Sequence, residues 1–258
     1  MIYVNEIDPY CAQWLQNLMD AGVLPAGHID TRSIEDVTPN DLAGYTQHHF
    51  FAGLGGWIYA LDLAGWPRDR PVWTGSCPCQ PFSAAGKGAG FADERHLWPA
   101  WQHLIAQRKP ATVFGEQVEG PAARRWLDIV CSDLEGLGYT FGAAVIPAAS
   151  VGSPQLRHRT WFVADANNAG RQRPVRQGQS GAAWQGGATA CGESLRSDRG
   201  HWPPGPGAVH LIPVRTDGVS NALGGCKAYG NAIVPQVAAE FVAAFMSIHD
   251  VQRELAAA

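Results

Sequence analysis

Apolar and polar residues fall along this chain in blocks that predict short buried strands alternating with helices. Ile2–Asn5 is an apolar run that reads as a buried strand ending at Glu6. Asp8 and Pro9 have the chemistry of a helix N-cap and first helical position, and Cys11, Trp14, Leu15, Leu18 and Met19 recur at helical spacing as its expected buried face. Gly22 and Pro25 close that helix, and a second short strand is expected to end near Ile29–Asp30. After a polar stretch, His48–Ala52 predicts a third strand running into Gly53-Leu54-Gly55-Gly56, then a helix to about Leu63. Val72–Gly75 predicts a fourth strand, which empties into Ser76-Cys77-Pro78-Cys79-Gln80-Pro81-Phe82-Ser83. Pro99 opens a helix with Leu97, Trp101, Leu104 and Ile105 inward, and Thr112–Phe114 leads as a strand into Gly115-Glu116-Gln117-Val118. Trp126, Val130 and Leu134 mark a further helix, with Gly138 at its end, and two strands are expected near 139–146 and 160–163. Val237, Phe241, Phe245 and Ile248 are the expected buried stripe of a closing helix after Pro235.

Strands and helices alternating at this spacing predict an α/β fold with a mostly parallel sheet covered on both faces. Such sheets bind ligands at the carboxyl ends of their strands. The unusual sequences Gly53–Gly56, Ser76–Ser83 and Glu116–Val118 all fall at those ends, which points to one active site.

From about residue 165 the pattern changes. The next fifty or so positions are rich in Gly, Gln, Arg, Ser and Pro, and no apolar period persists. Two readings stay open for them, a disordered linker and a small loop-built recognition module. The division that follows is a catalytic and cofactor-binding domain over 1–164, a target recognition region over 165–221, and a segment over 222–258 that returns to the first.

An apolar fraction of 46% with ten Trp is that of a folded protein. The net charge of −4 gives no global basic signature, so a nucleic-acid partner has to be argued from local features. The basic residues are nearly all Arg, which suits bidentate phosphate and base contacts. The longest apolar tract, 232–248, is interrupted by Pro235, Gln236 and Glu240, which argues against a membrane span. No basic leader precedes an apolar run at the start, and the six Cys follow no disulfide spacing, so a reducing cytoplasm is the expected setting. Cys77 and Cys79 lack a second Cys/His pair at finger-like spacing, so no metal is expected.

Cys79, Pro-flanked at a strand end, is a plausible nucleophile if nearby charge favours its thiolate, although a Cys by itself is more often a small buried hydrophobe. Gly53, Gly55 and Gly56 fit a turn where backbone must approach a ligand closely.

Together these blocks resemble the cytosine-C5 DNA methyltransferase family. The resemblance rests on Phe51-Ala-Gly-Leu-Gly-Gly56, Pro78-Cys-Gln-Pro-Phe-Ser83, Glu116-Gln-Val118, Gln155-Leu-Arg-His-Arg159 and Gly230-Asn-Ala-Ile-Val-Pro235, in the family's relative order. It implies a Rossmann-like S-adenosylmethionine-dependent methyltransferase fold with a small loop-rich target recognition region. It also implies methyl transfer from S-adenosylmethionine to C5 of a cytosine flipped out of double-stranded DNA. By resemblance Cys79 adds to C6, Glu116 holds the N3 and amine edge, Arg159 holds O2, and Arg157 contacts phosphate or the surrounding loop. Phe51, Ala52, Gly53, Leu54, Gly55, Gly56, Pro78, Leu97, Asn231 and Ala232 are implied to line the cofactor site. Gln80 and Ser83 are implied to meet DNA, with Arg171, Arg173, Arg176, Arg196 and Arg199 contacting phosphate or bases. No obligate protein partner is evident, so a monomer in a bacterial cytoplasm is expected, in a restriction–modification, orphan or virus-borne setting.

One feature of the order departs from the family. About 20 residues past the Gly turn, where a carboxylate is expected to bind ribose, lies the polar turn Trp66-Pro-Arg-Asp-Arg-Pro71. Tyr3-Val-Asn-Glu-Ile-Asp-Pro-Tyr10 instead resembles the family's second block and Gly27-His-Ile-Asp-Thr-Arg-Ser-Ile34 its third. The expectation is a circular permutation, with Glu6 and Ile7 at the ribose and Asp30 at the adenine amine. The competing reading is a degenerate enzyme without cofactor carboxylates. Further departures are Gln117 where the family usually has Asn, His49 where an acidic residue is common, and a short recognition region. Other functions compete as well: a silent DNA-binding relative, the tRNA-methylating branch, and an unrelated Rossmann-type oxidoreductase. The tRNA branch carries Cys-Phe-Thr where this chain has Cys191-Gly192-Glu193.

Overall fold

The computed structural model describes residues 1–78, 97–155, 157–166, 228 and 230–257, the side chains only up to residue 249. Among these the strands are β1 (Ile2–Asn5), β2 (Gly27–Asp30), β3 (Gln47–Phe50), β4 (Val72–Gly75), β5 (Thr112–Val118), β6 (Thr140–Pro147) and β7 (His158–Asp165). The helices are α1 (Pro9–Asp20), α2 (Gly56–Leu63), α3 (Trp98–Arg108), α4 (Pro121–Gly136) and α5 (Pro235–Ala257). The strands form one sheet in the order β2-β1-β3-β4-β5-β7-β6. The first five are parallel, and β7 runs antiparallel to both its neighbours. This is the α/β architecture with a mostly parallel sheet that the sequence predicts.

Alternation along the strands assigns the two faces. Tyr3, Phe50, Trp73, Val113 and Phe162 pack with α3 and α4 on one face. Val4, Val72, Phe114 and Trp161 lie on the other, under α1, α2 and α5. The helices form where the pattern predicts. Asp8 caps α1, its carboxylate accepting from the amides of Tyr10 and Cys11, with Pro9 next. In α5 the buried positions are Val237, Ala238, Ala239 and Val242, with Phe241 and Phe245 packed beside them. Ile248 does not continue the expected stripe; it is 61% exposed, and His249, packed against Phe245 and near Asp165 of β7, takes the inward position on that turn.

Register aligns the carboxyl ends. Asn5 pairs with both Asp30 and Phe50, Phe50 with Gly75, and Gly75 with Gly115. The next residues, Glu6, Phe51, Ser76 and Glu116, therefore emerge along one rim. Strand β3 stops at Phe50, short of the expected Ala52, because Phe51 turns left-handed at φ +52°. A bulky residue in that region carries strain that neighbours must hold in place.

The crossovers differ in hand. The β1–α1–β2 unit steps toward the β2 edge on the α1/α2 face, and β4–α3–β5 steps the opposite way on the opposite face, so the two share one hand. The β3–α2–β4 unit steps toward β5 on the α1/α2 face and has the opposite hand. Parallel βαβ units almost always share the right hand. No helix among the described residues is long and apolar enough to cross a membrane.

Candidate active site

The Gly turn is tied to the first strand by a carboxylate. Glu6, buried just past β1, accepts from the Gly53 amide at 2.6 Å through Oε2 and from the Asp8 amide at 2.8 Å through Oε1. Gly53 and Gly55 adopt φ +55° and +84°, which L side chains rarely reach. A Cβ on Gly53 would meet no described atom within 4 Å, so the turn is open on that side. Ile7, next to Glu6, is 62% exposed, a large apolar side chain left uncovered at the rim. Phe51 stands edge-on to Trp101, and Leu97, at the start of α3, is packed against the same cluster.

Asp30 is already well occupied. It accepts from the Tyr3 hydroxyl at 2.7 Å, from the Arg32 amide at 3.0 Å and from the Arg32 guanidinium at 2.6 Å. Burial pushes its carboxyl up, but the hydrogen bonds from Arg32 and Tyr3 outweigh this and hold it at about 2. Asn5 completes the corner through bonds to the carbonyls of Asp30 and Arg32. The role of Arg32 was not legible in the sequence; its position two residues past a strand-end Asp was the available signal.

His49, two before Phe51, is buried and contacts the Thr74 hydroxyl at 2.8 Å through Nδ1. Burial, reinforced by the neighbouring His48, lowers it to about 3, so it is neutral near pH 7. The acidic residue common at this point in the family is thus replaced by an uncharged ring.

At the end of β4, the Ser76 hydroxyl accepts from Trp57 Nε1 at 3.1 Å and donates to Glu116. The Cys77 carbonyl accepts from Gln117 Nε2 at 3.2 Å, while Gln117 Oε1 accepts from the Val118 amide. The longer amide thus reaches the segment that leads to Pro78. Ser76 is a site residue that sequence reasoning missed, although it occupies the first rim position after β4.

Glu116 is the electrostatic centre of this half. Its carboxylate is 6% exposed and takes the Arg159 Nε–H at 2.9 Å. Desolvation raises its pKa to about 6, against the lowering pull of Arg159, Arg157 and Ser76. Arg159 also donates through Nη1 to the His158 carbonyl. Arg157 turns elsewhere: Nη1 donates to the Gly230 carbonyl at 3.0 Å and Nη2 to the Ala232 carbonyl at 2.9 Å. Asn231, between them, is exposed.

The structure therefore brings Glu6, Phe51, the Gly turn, Ser76, Glu116 and Arg159 to one rim. Cys79, Gln80, Ser83, Arg171, Arg173, Arg176, Arg196 and Arg199 lie outside the described residues. Among the described residues no group of His, Cys, Asp and Glu is arranged to hold a metal ion.

Comparison with known proteins points the same way. Residues 66–180 match the family described as C-5 cytosine-specific DNA methylase. The chain is 27% identical over 172 residues to the type II methyltransferase M.HhaI of Haemophilus parahaemolyticus, covering 52% of this chain and 53% of that protein. It is 36% identical over 163 residues to the type II methyltransferase M.NgoMIV of Neisseria gonorrhoeae, covering 48% and 52% respectively. The chain thus spans about half the length of these curated relatives. Among solved structures, a mutant of Spodoptera frugiperda DNMT2 superposes with a TM-score of 0.46 at 17% identity, covering 69% of this chain and 46% of that one. The matched stretch runs from the approach to β4 through β7, and over that part the chain is similar to the C-5 cytosine-specific DNA methylase family.

Proposed function

We propose that this protein transfers a methyl group from S-adenosylmethionine to C5 of a flipped cytosine in double-stranded DNA, through a covalent bond between Cys79 and C6. The observation that carries the reading is the pairing of buried Glu116 with half-buried Arg159, on the same rim as the Gly turn and one strand from the segment leading to Cys79. Cytosine C5 is a poor nucleophile. Adding the Cys79 thiolate at C6 while a proton is held at N3 places enamine-like electron density on C5. Glu116, with a pKa near 6, is partly protonated at neutral pH and can share that proton across the N3 and amine edge. Arg159, held against Glu116, is placed to donate to O2. C5 then takes the methyl group, and loss of the C5 proton to a base, water being the simplest candidate, expels Cys79 and restores the ring.

The residues present fit the cofactor. A ribose diol suits the Glu6 carboxylate, because a carboxylate offers about four acceptor sites and can take hydroxyl donors as well as the amides of Gly53 and Asp8. The open side of Gly53 lets backbone approach closely, and Ile7 and Phe51 offer apolar surface for an adenine ring. Asn231 and Ala232 close the same end, and the Asp30 carboxylate, once Arg32 moves aside, can accept from the adenine amine. S-adenosylmethionine, when bound, supplies an electrophilic methyl group. DNA phosphates are assigned to the Arg residues of 165–218, so affinity should fall as salt rises. The enzyme is read as a monomer acting in a bacterial cytoplasm.

The test is incubation with duplex DNA and methyl-labelled S-adenosylmethionine, followed by base analysis. Label in 5-methylcytosine is expected, and a duplex carrying 5-fluorocytosine should trap an adduct whose peptide maps to Cys79. Label in another base, preference for tRNA over duplex DNA, or an adduct on another residue overturns the reading.

We also infer that the chain is circularly permuted. Taking β3 as the first strand, β1 as the second and β2 as the third turns the sheet order into the doubly wound 3-2-1-4-5. If α2 led into β1, its crossover would step toward the β2 edge on its own face and regain the common hand. A rearranged chain running 47–64, linker, 1–46, then 65–258 tests this. Thr46 already bonds to the Met1 carbonyl, so both new joints lie at the amino ends of the strands. The rearranged protein is expected to unfold cooperatively and to retain methyl transfer; collapse of both with short and long linkers alike argues against it.

A further inference from the structure

We propose that Arg157 is a positioning residue that couples the cytosine-edge pair to the cofactor turn, a role that rests on the methyltransferase reading of the site. Its backbone is pinned just before β7, where the Arg157 carbonyl accepts from the Ala148 amide at 2.9 Å. Its guanidinium reaches across more than seventy residues of sequence to clamp two carbonyls, Gly230 and Ala232, on one short segment. The following residue, Ile233, is buried against the Gly turn: a Cβ on Gly56 would come within 2.6 Å of Ile233 Cγ1. Gly56 begins α2, directly after the turn that Glu6 holds. A continuous path therefore runs from Arg157 through 230–233 into the Gly turn.

The other end of the path is electrostatic. The groups facing Glu116 are Arg159, Arg157 and the Ser76 hydroxyl, and Arg157 acts on it by charge without a direct hydrogen bond. Burial and the neighbouring Arg159 both push the Arg157 pKa down, and Glu116 opposes them. Its Nε–H is buried without an acceptor among the described residues. A cation is thus held in an unfavourable place where an apolar side chain could fill the same space. What it gains there is two carbonyl anchors and a shared counter-charge.

Two substitutions separate these functions. Arg157→Lys keeps the charge but cannot span both carbonyls, so cofactor Kd and KM should rise about tenfold, the cost of one charged hydrogen bond, while the Glu116 break in the kcat/KM pH profile stays in place. Arg157→Met loses both clamp bonds and the charge, so a loss of about 10²-fold should come with an upward move of that break. Hydrogen exchange gives a readout independent of activity: in both variants amides of 230–234 and of 56–58 should exchange faster together. Faster exchange confined to 230–234, cofactor affinity within twofold of wild type in both variants, or an unmoved break in Arg157→Met overturns the coupling. A wild-type protein that neither binds S-adenosylmethionine nor forms 5-methylcytosine overturns the underlying reading first.

Discussion

Glu116→Gln should cut kcat about 10²–10⁴-fold and at the same time stabilise the folded protein above pH 6. The two effects share one cause. Glu116 is buried, and desolvation holds its pKa at about 6 against an ordinary 4.5, even with Arg159, Arg157 and Ser76 lowering it. The folded protein therefore binds this proton more tightly than the unfolded chain does. Below pH 4.5 both states are protonated and the carboxyl is neutral to folding; as pH rises through 6 the folded state must hold a buried charge that the unfolded chain holds in water. By pH 8 the cost reaches about 2 kcal/mol. Glutamine fills the same space, removes that cost and cannot share a proton with N3. Urea unfolding at pH 5 and pH 8 checks the stability arm: the variant's advantage should be small at the lower pH and near its maximum at the higher. The break near pH 6 in kcat/KM should vanish with the carboxyl. A variant less stable than wild type at pH 8 would mean that the pair with Arg159 outweighs desolvation, and the sign of the pH dependence would reverse.

What can be read from the sequence divides along physical lines. Strand positions such as Val4, Val72 and Val113 were legible because a strand buried on both faces leaves an uninterrupted apolar run. The start of α1 was legible because Asp8 and Pro9 act on their own neighbours. Glu6 and Asp30 could be singled out only through resemblance, since a carboxylate in a loop carries no local pattern. That Glu6 grips Gly53 depends on β1 and β3 being neighbours, a contact spanning 47 positions of sequence. The left-handed Phe51 was not legible, because nothing in its side chain favours that conformation; the turn beyond it imposes it. Arg157 was expected at phosphate or the local loop, and its clamp on Gly230 and Ala232 appears only once the distant segment has packed. Ile248 fitted the helical period, but both 248 and 249 are compatible with a stripe through Phe241 and Phe245, and packing turns His249 inward.

Glu6→Ala should act in the opposite sense to Glu116→Gln, weakening both the fold and cofactor binding. The Glu6 carboxylate satisfies two amides at once, Gly53 on the turn and Asp8 at the start of α1. Alanine leaves both donors without their acceptor in a part-buried corner, at a cost of about 1–3 kcal/mol. It also frees Gly53, whose left-handed φ of +55° is held in place by that bond. For the cofactor the loss is larger than for the fold, because a charged acceptor is removed from the ribose diol and the turn beneath the ligand is loosened in the same step. Two charge-assisted bonds correspond to about 10²-fold or more in Kd. Because Glu6 is one strand pairing away from β3 and three from β5, the cytosine edge at Glu116 should be untouched. At saturating S-adenosylmethionine kcat should therefore recover to within about threefold, the limit expected when uniform binding alone is lost. Glu6→Gln discriminates further: its amide can accept from one N–H but presents a donor to the other, so it should lose most of the cofactor affinity while keeping more of the stability. Titration of both variants by calorimetry, with unfolding curves alongside, measures the split. Unchanged cofactor affinity in Glu6→Gln would remove Glu6 from the ribose and leave it as a brace for the turn, and with it would go the equivalence between the first strand of this chain and the second strand of its relatives.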